Sequence, residues 1–239
     1  MALRIGIDLD GVLADMSAAL DDHATRLFGP APSTPAPEPA ADAEPSVAPG
    51  PETDKPPLQL KRRLTERQHR LLWRHVRRID GFWEQLDETE AGIVARLAKL
   101  ASTRRWEIIF LTKRPATAGL TSQVQSQRWL AAKGFELPSV YVVTGSRGLI
   151  AAALSLDVVV DDRPENCIDI ATDSKARVIA VVRPTEPPPM FLKSTGIDVA
   201  ASGDEWLKRL VELDESLNEQ PGPMERLMRK FGLQRAATS

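Results

Sequence analysis

Four aspartates stand where apolar runs end. Asp8 and Asp10 close the run Leu3-Arg4-Ile5-Gly6-Ile7-Asp8-Leu9, and Asp161 and Asp162 follow Asp157-Val158-Val159-Val160. Runs of this kind read as buried strands, and open α/β sheets hold their ligands at the carboxyl ends of such strands. Carboxylates gathered there are costly to bury without a cation. Oxygen donors with few nitrogen ligands nearby favour Mg²⁺, which retains waters and takes substrate phosphate as a further ligand. Gly11, directly after Asp10, lets the backbone turn sharply beside that centre. Plainer readings exist. Asp-x-Asp-Gly also occurs in surface turns and calcium loops, and Asp161-Asp162 before Arg163-Pro164 reads equally as a solvated turn.

A third run, Ile108-Ile109-Phe110-Leu111, ends in Thr112 and is followed by Lys113-Arg114-Pro115. A hydroxyl and the neighbouring backbone N–H groups can hold phosphate oxygens, or the hydroxyl can cap a helix. Arg114 reads either as an aid to phosphate binding or as a surface cation. Arg147, in Thr144-Gly145-Ser146-Arg147, is a cation shortly before the second acidic pair, or an exposed arginine opening a helix. His23, His69 and His75 show no metal-ligand or triad spacing and read as solvated or packed. Phe28, Trp73, Phe82 and Trp83 could line a substrate pocket under the cap, although packing of the cap on the core is the simpler account of these aromatic residues.

These residues need a scaffold that brings strand ends together. Further apolar runs at Val140–Val143 and Val178–Val182 alternate with helical patterns at about 88–102, 117–133, 148–155, 164–174 and 203–217, which predicts a parallel α/β sheet covered on both faces. Between the first two strands, residues 16–106 form an excursion too long for a simple crossover. A helix at about 16–28 and a second whose face carries Leu60, Leu64, Leu71, Leu72, Val76 and Ile79 predict a small helical cap. From Pro30 to Pro57, ten of twenty-eight residues are proline, a composition that predicts a disordered loop. The expected division is a core of 1–15 and 88–200, a cap of 16–87 with the proline-rich loop at about 30–57, and a C-terminal helical segment of 201–239. In that last segment Met224, Leu227, Met228 and Phe231 fall at helical spacing.

Composition narrows the function classes. The 239 residues are 42% hydrophobic, and 31 Lys and Arg against 33 Asp and Glu give a formal charge of −2. No basic excess points to a nucleic-acid polymer, and no apolar stretch is long enough to span a bilayer. Cys167 is the only cysteine, which excludes an internal disulfide and a multi-cysteine zinc site and makes the cytoplasm the expected compartment. The expected partner is a small phosphorylated substrate; protein partners are left open.

Taken in order, Asp8-Leu9-Asp10-Gly11-Val12, Thr112 and Asp161-Asp162 resemble the first, second and fourth motifs of the haloacid dehalogenase superfamily. The third motif normally supplies a lysine, and Arg147 is the best-placed cation, with Lys113 the alternative. Asp8 to Asp15, Gly81-Phe82-Trp83-Glu84-Gln85-Leu86, Arg128-Trp129-Leu130 and Asp161 to Asn166 further resemble the 5′(3′)-deoxyribonucleotidase group and its bacterial relatives. Departures are Met16 where that group commonly has an aromatic, Asp87-Glu88-Thr89-Glu90 where it has Pro-Gly, and the proline-rich insertion. The resemblance implies a Rossmann-like core with a cap after the first strand and phosphate ester hydrolysis through an aspartyl-phosphate. In it Asp8 is the nucleophile and Asp10 the general acid and base. Mg²⁺ is held by Asp8, the Asp10 backbone carbonyl, Asp161 and Asp162, while Thr112, Lys113 and Arg147 serve the phosphate. The competing reading, from another class, is a phosphatase-like fold that has lost turnover and serves as a binding or scaffold module.

Overall fold

The structure, a computed structural model, describes residues 2–30, 63–182 and 196–218. Residues 31–57 of the proline-rich segment and the tail helix read from the sequence lie outside the described residues, as does Leu60. Among the described residues six strands form one sheet: β1 (Arg4–Asp8), β2 (Glu107–Thr112), β3 (Ser139–Val142), β4 (Val158–Asp161), β5 (Arg177–Val181) and β6 (Asp198–Ala200), in the order β3-β2-β1-β4-β5-β6. β2 pairs with β3, β4 with β5 and β5 with β6, all parallel. Ile5, Ile7, Val158, Val159 and Val160 are fully buried, as expected of strands covered on both faces, whose sequences read as continuous apolar runs. The strand order reverses at β1, and in open α/β sheets that reversal marks where ligands gather, beyond the strands' carboxyl ends. Asp8, Thr112 and Asp161 are the last residues of β1, β2 and β4.

Seven helices accompany the strands among the described residues: α1 (Met16–Phe28), α2 (Glu66–Val76), α3 (Ile93–Arg104), α4 (Ser122–Ala132), α5 (Arg147–Ala153), α6 (Pro164–Asp173) and α7 (Gly203–Asn218), with one 3₁₀ turn at Phe82–Glu84. Local chemistry sets their starts. The Asp15 carboxylate caps α1 by accepting from the Ala18 N–H at 3.0 Å, and Thr65 and Gln68 form a capping box on α2. Thr121 caps α4, and Pro164 at the first turn of α6 suits a position whose N–H needs no partner. α3 begins later than its periodicity suggests. Glu88 accepts from the N–H groups of Gly92 and Val94 at 3.0 Å, and Thr89 is tied by backbone and hydroxyl to Leu13 and Val12, which holds 87–90 out of the helix. On α2, Leu72, Trp73 and Val76 face inward, but Leu71 is exposed; Trp73 takes the position on the buried face that the sequence reading gave to Leu71. β6, at three residues, is too short for periodicity to reveal.

The chain groups into two compact units. One takes residues up to Gly6, Lys99–Ile108 and residues from Arg147 on; the other takes Ile7–Ala98 and Ile109–Ser146. Both boundaries fall inside strands, β1 and β2. In the first unit, Arg4 donates its backbone N–H to Asp157 at 2.8 Å and pairs with Glu107 at 2.9 Å, while Arg104 grips Asp214 and Glu215 of α7 at 3.1 and 2.8 Å. α5 and α6 come together at Gly148. A β-carbon there would lie 2.3 Å from the Asp169 carbonyl oxygen and 2.7 Å from the Asp173 β-carbon. On an open helix Gly→Ala stabilises by up to about 1 kcal/mol; inside this contact, overpacking of roughly 1–3 kcal/mol opposes it. Gly148→Ala is therefore expected to lower the melting temperature by several degrees. A melting temperature equal to or above wild type would show that the two helices separate freely.

In the second unit, α1 and α2 meet at His23 and His75, whose Nδ1 and Nε2 atoms lie 3.2 Å apart, with Phe82 against the His23 ring. Burial, then the neighbouring His75 and Arg26, lower the His23 pKa below the ordinary histidine value.

Candidate active site

The chain leaves β1 in a tight loop: the N–H groups of Leu13 and Ala14 both donate to the Leu9 carbonyl, and Gly11 donates back to Ala14 at a φ of 94°. That positive φ favours glycine. The far side of the loop is braced by residues 87–89, with Asp15 N–H donating to Asp87 and Thr89 N–H to Leu13, each at 2.8 Å. Asp8 is thereby buried at the strand end, and Asp10 is partly covered just beyond it.

The second acidic pair is no solvated turn. Asp161 is fully buried, accepts from the Arg163 backbone N–H at 2.9 Å and takes both Asn166 contacts at 3.0 and 3.1 Å. Arg147 is not the exposed opening residue of a helix either. It is the first residue of α5 but is 3% exposed, and its Nη1 lies 3.3 Å from Asp161 Oδ2. Two fully desolvated opposite charges thus sit side by side, and each would be costly alone.

Asp8 closes β1, and Asp161 closes β4 with Asp162 directly after it. Carboxylates are hard oxygen donors that fit a divalent cation such as Mg²⁺ or Ca²⁺ and suit softer metals poorly. The Asp10 carboxylate is engaged by other partners. Thr112 Oγ donates to Asp10 Oδ2 at 3.2 Å, and the Arg114 guanidinium reaches both Asp10 oxygens at 2.8–3.0 Å. Thr112 is therefore not a helix cap; that task on α4 falls to Thr121.

Arg114 is not a surface cation. It is buried, donates to Ser126 Oγ at 2.9 Å and lies over the Trp83 and Trp129 rings at 5.0 and 5.8 Å. Lys113, beside it, is exposed. Trp83 is fully buried and donates through Nε1 to the Pro115 carbonyl at 3.0 Å. Phe82, equally enclosed, meets Trp83 edge-on at 4.8 Å. Both aromatics are thus held in packing, though Phe82 also lines a cavity of about 560 Å³ with Asp15, His23, Gln85 and Leu86. Met16, the first residue of α1, is half-buried. Sequence reasoning assigned no role to Ser126 or Asn166 and left Arg114 undecided. The signal for Arg114 was its spacing, two residues past a strand-end threonine; for Asn166 it was a place in the first turn of the helix that follows Asp161-Asp162.

The sequence matches no family model and none of the curated proteins compared with it. Solved structures do share its architecture. One is a haloacid dehalogenase family hydrolase from Deinococcus radiodurans with bound phosphate and sodium, superposing with a TM-score of 0.51 at 13% identity over 88% of this chain and 96% of the other. The chain has a haloacid dehalogenase-like fold. A Thermotoga maritima protein carrying a provisional β-phosphoglucomutase assignment gives 0.51 at 15% identity, with 88% and 99% covered. A hydrolase of the haloacid dehalogenase-like family from Streptococcus pneumoniae gives 0.50 at 11%, with 87% and 98% covered. At these identities the likeness is one of fold. Among the described residues no helix is long and apolar enough to cross a membrane.

Proposed function

We propose that this chain hydrolyses phosphate monoesters with the help of a divalent cation, Mg²⁺ in the first instance. The observation that carries this reading is a carboxylate at the last residue of two strands, Asp8 of β1 and Asp161 of β4, with Asp162 directly after it, in a sheet whose order reverses at β1. Those three carboxylates, with the Asp10 backbone carbonyl, would hold the cation, which when bound neutralises charge on the transferring phosphoryl group. An Asp8 carboxylate oxygen attacks phosphorus, and the bond from phosphorus to the ester oxygen breaks as Asp10 gives that oxygen its proton. Water then attacks the aspartyl-phosphate, Asp10 takes its proton, and inorganic phosphate leaves with the Asp8 carboxylate restored. Thr112, Lys113 and Arg147 are the residues proposed to serve the phosphoryl oxygens, the cations by charge and Thr112 by turning to them the hydroxyl that otherwise meets Asp10.

The substrate proposed is a small phosphometabolite. A deoxynucleotide or nucleotide is the specific candidate, resting on the residue resemblance around Asp8, Phe82-Trp83 and Asp161. Residues 16–87 are proposed as the cap that selects it, with Met16 and Phe82 near the substrate and the enclosed Trp83 packed against Phe82, and the cytoplasm as the compartment.

The test is release of p-nitrophenol from its phosphate with and without Mg²⁺, run beside thermal melts. Turnover should require the cation and stop with EDTA. The melting temperature should rise on the order of 5 °C or more at a hundredfold excess over Kd, where binding to the folded state alone contributes about 2.7 kcal/mol. A cation-raised melting temperature without turnover on a broad phosphate ester panel would favour the binding module instead. Absence of both effects would remove the metal site from the proposal altogether.

A further inference from the structure

The Asp10 carboxylate, two residues past the end of β1, has an environment more built than a chance ion pair requires. The Arg114 side chain is 0% exposed and that of Asp10 13%. Nε of Arg114 lies 3.0 Å from each Asp10 oxygen, and Nη2 lies 2.8 Å from Oδ1. This is a planar fork laid against a planar acceptor, a geometry that fixes orientation as well as distance. The other oxygen also accepts from Thr112 Oγ at 3.2 Å, and that hydroxyl accepts in turn from the Arg114 backbone N–H at 3.3 Å.

The arginine is itself immobilised. Nη1 donates to Ser126 Oγ at 2.9 Å, and Ser126 passes its own hydrogen to the Ser122 carbonyl at 2.7 Å. The guanidinium is flanked by Trp83 and Trp129, whose indole N–H groups are tied to the carbonyls of Pro115 and Leu86 at 3.0 and 2.7 Å. Two aromatic rings, one hydroxyl and one helix, α4, therefore converge on a cation whose charged partner is Asp10. A group that transfers protons must be held within a fraction of an ångström of the reacting oxygen, by neighbours whose own rotamers are locked.

We propose that Arg114 is a positioning residue: it holds the Asp10 carboxyl group in the orientation from which it delivers its proton to the leaving oxygen. The proposal rests on the phosphatase reading above. Its consequence depends on the ester. An alkyl phosphate expels a poor leaving group and needs the proton, whereas an aryl phosphate such as p-nitrophenyl phosphate expels a stable phenolate and needs it far less. Loss of positioning must show as a selective loss on the alkyl ester.

The experiment measures kcat/KM, which reports the first phosphoryl transfer to Asp8, for glycerol phosphate and for p-nitrophenyl phosphate. It uses the wild type, Arg114→Ala, Arg114→Lys and Ser126→Ala. Arg114→Ala is expected to lose roughly 10²-fold on the alkyl ester, the scale of general acid catalysis, and less than about 10-fold on the aryl ester. Arg114→Lys keeps the charge but not the fork and should recover only part of the alkyl rate. Ser126→Ala removes the outer brace alone and should shift the alkyl-to-aryl ratio in the same direction, which keeps the test decisive if Arg114→Ala does not fold. Equal losses on both esters across the folded variants, or wild-type rates, would overturn the positioning role and leave the phosphatase reading intact. A wild type inactive on both esters would instead overturn the phosphatase reading, and the Arg114 role with it.

Discussion

Asp8→Asn is expected to lower phosphate ester hydrolysis on the order of 10⁴-fold or more, the scale seen when a covalent enzyme loses its nucleophile, while making the metal-free protein harder to melt. The two effects have one origin. Asp8 lies buried at the end of β1, where a carboxylate held without a cation is costly. The amide retains the shape, removes the charge and cannot form the acyl phosphate. Thermal melts without metal should therefore place Asp8→Asn above the wild type, and added Mg²⁺ should raise the variant less than it raises the wild type. An inactive variant that also melts lower without metal would point to damage to the β1 end. A variant with wild-type rates would remove Asp8 as nucleophile.

Arg147→Ala is expected to cost both stability and turnover. Nη1 of Arg147 lies 3.3 Å from Asp161 Oδ2, and the two side chains are 3% and 0% exposed. Taking one partner from a buried pair leaves the other charge desolvated, at a cost of about 3–5 kcal/mol, or roughly 10 °C in a chain of this size. Asp161 keeps its contacts from Asn166 and the Arg163 N–H, which places the loss toward the lower end. Mg²⁺ should restore part of it, because a bound cation gives Asp161 a new counter-charge. Turnover should fall roughly 10²-fold, as on removal of one preorganised electrostatic contact. Arg147→Lys keeps a positive charge at the head of α5 and should retain most of the activity. Differential scanning calorimetry with and without Mg²⁺, beside steady-state kinetics, reads all three quantities. An Arg147→Ala protein with wild-type melting and rates would show that the buried pair contributes nothing.

By itself, the sequence determined the features that depend on neighbours along the chain. β1, β2, β4 and β5 were legible because strands buried on both faces admit only apolar side chains, so Ile5 to Ile7 and Val158 to Val160 stand out without any partner being known. Asp8, Thr112 and Asp161 could be placed at strand ends because each interrupts such a run, and the topology of α/β sheets gives strand ends their meaning. α1 was legible through its period of 3.6, and the start of α6 could be read from Pro164. What only the tertiary structure decided depends on residues distant in sequence. β6 forms because β5 offers it a parallel edge, and no local pattern in three residues encodes that. α3 starts late because Thr89 is tied back to Val12 and Leu13, and Leu71 yields the buried face of α2 to Trp73. Arg114 could be a surface cation or a site residue until Ser126, Trp83 and Trp129 closed around it. Arg147 likewise became a buried partner of Asp161 only when α5 was set beside β4. A charged side chain's role is fixed by what excludes water from it, and exclusion of water is a property of the packed fold.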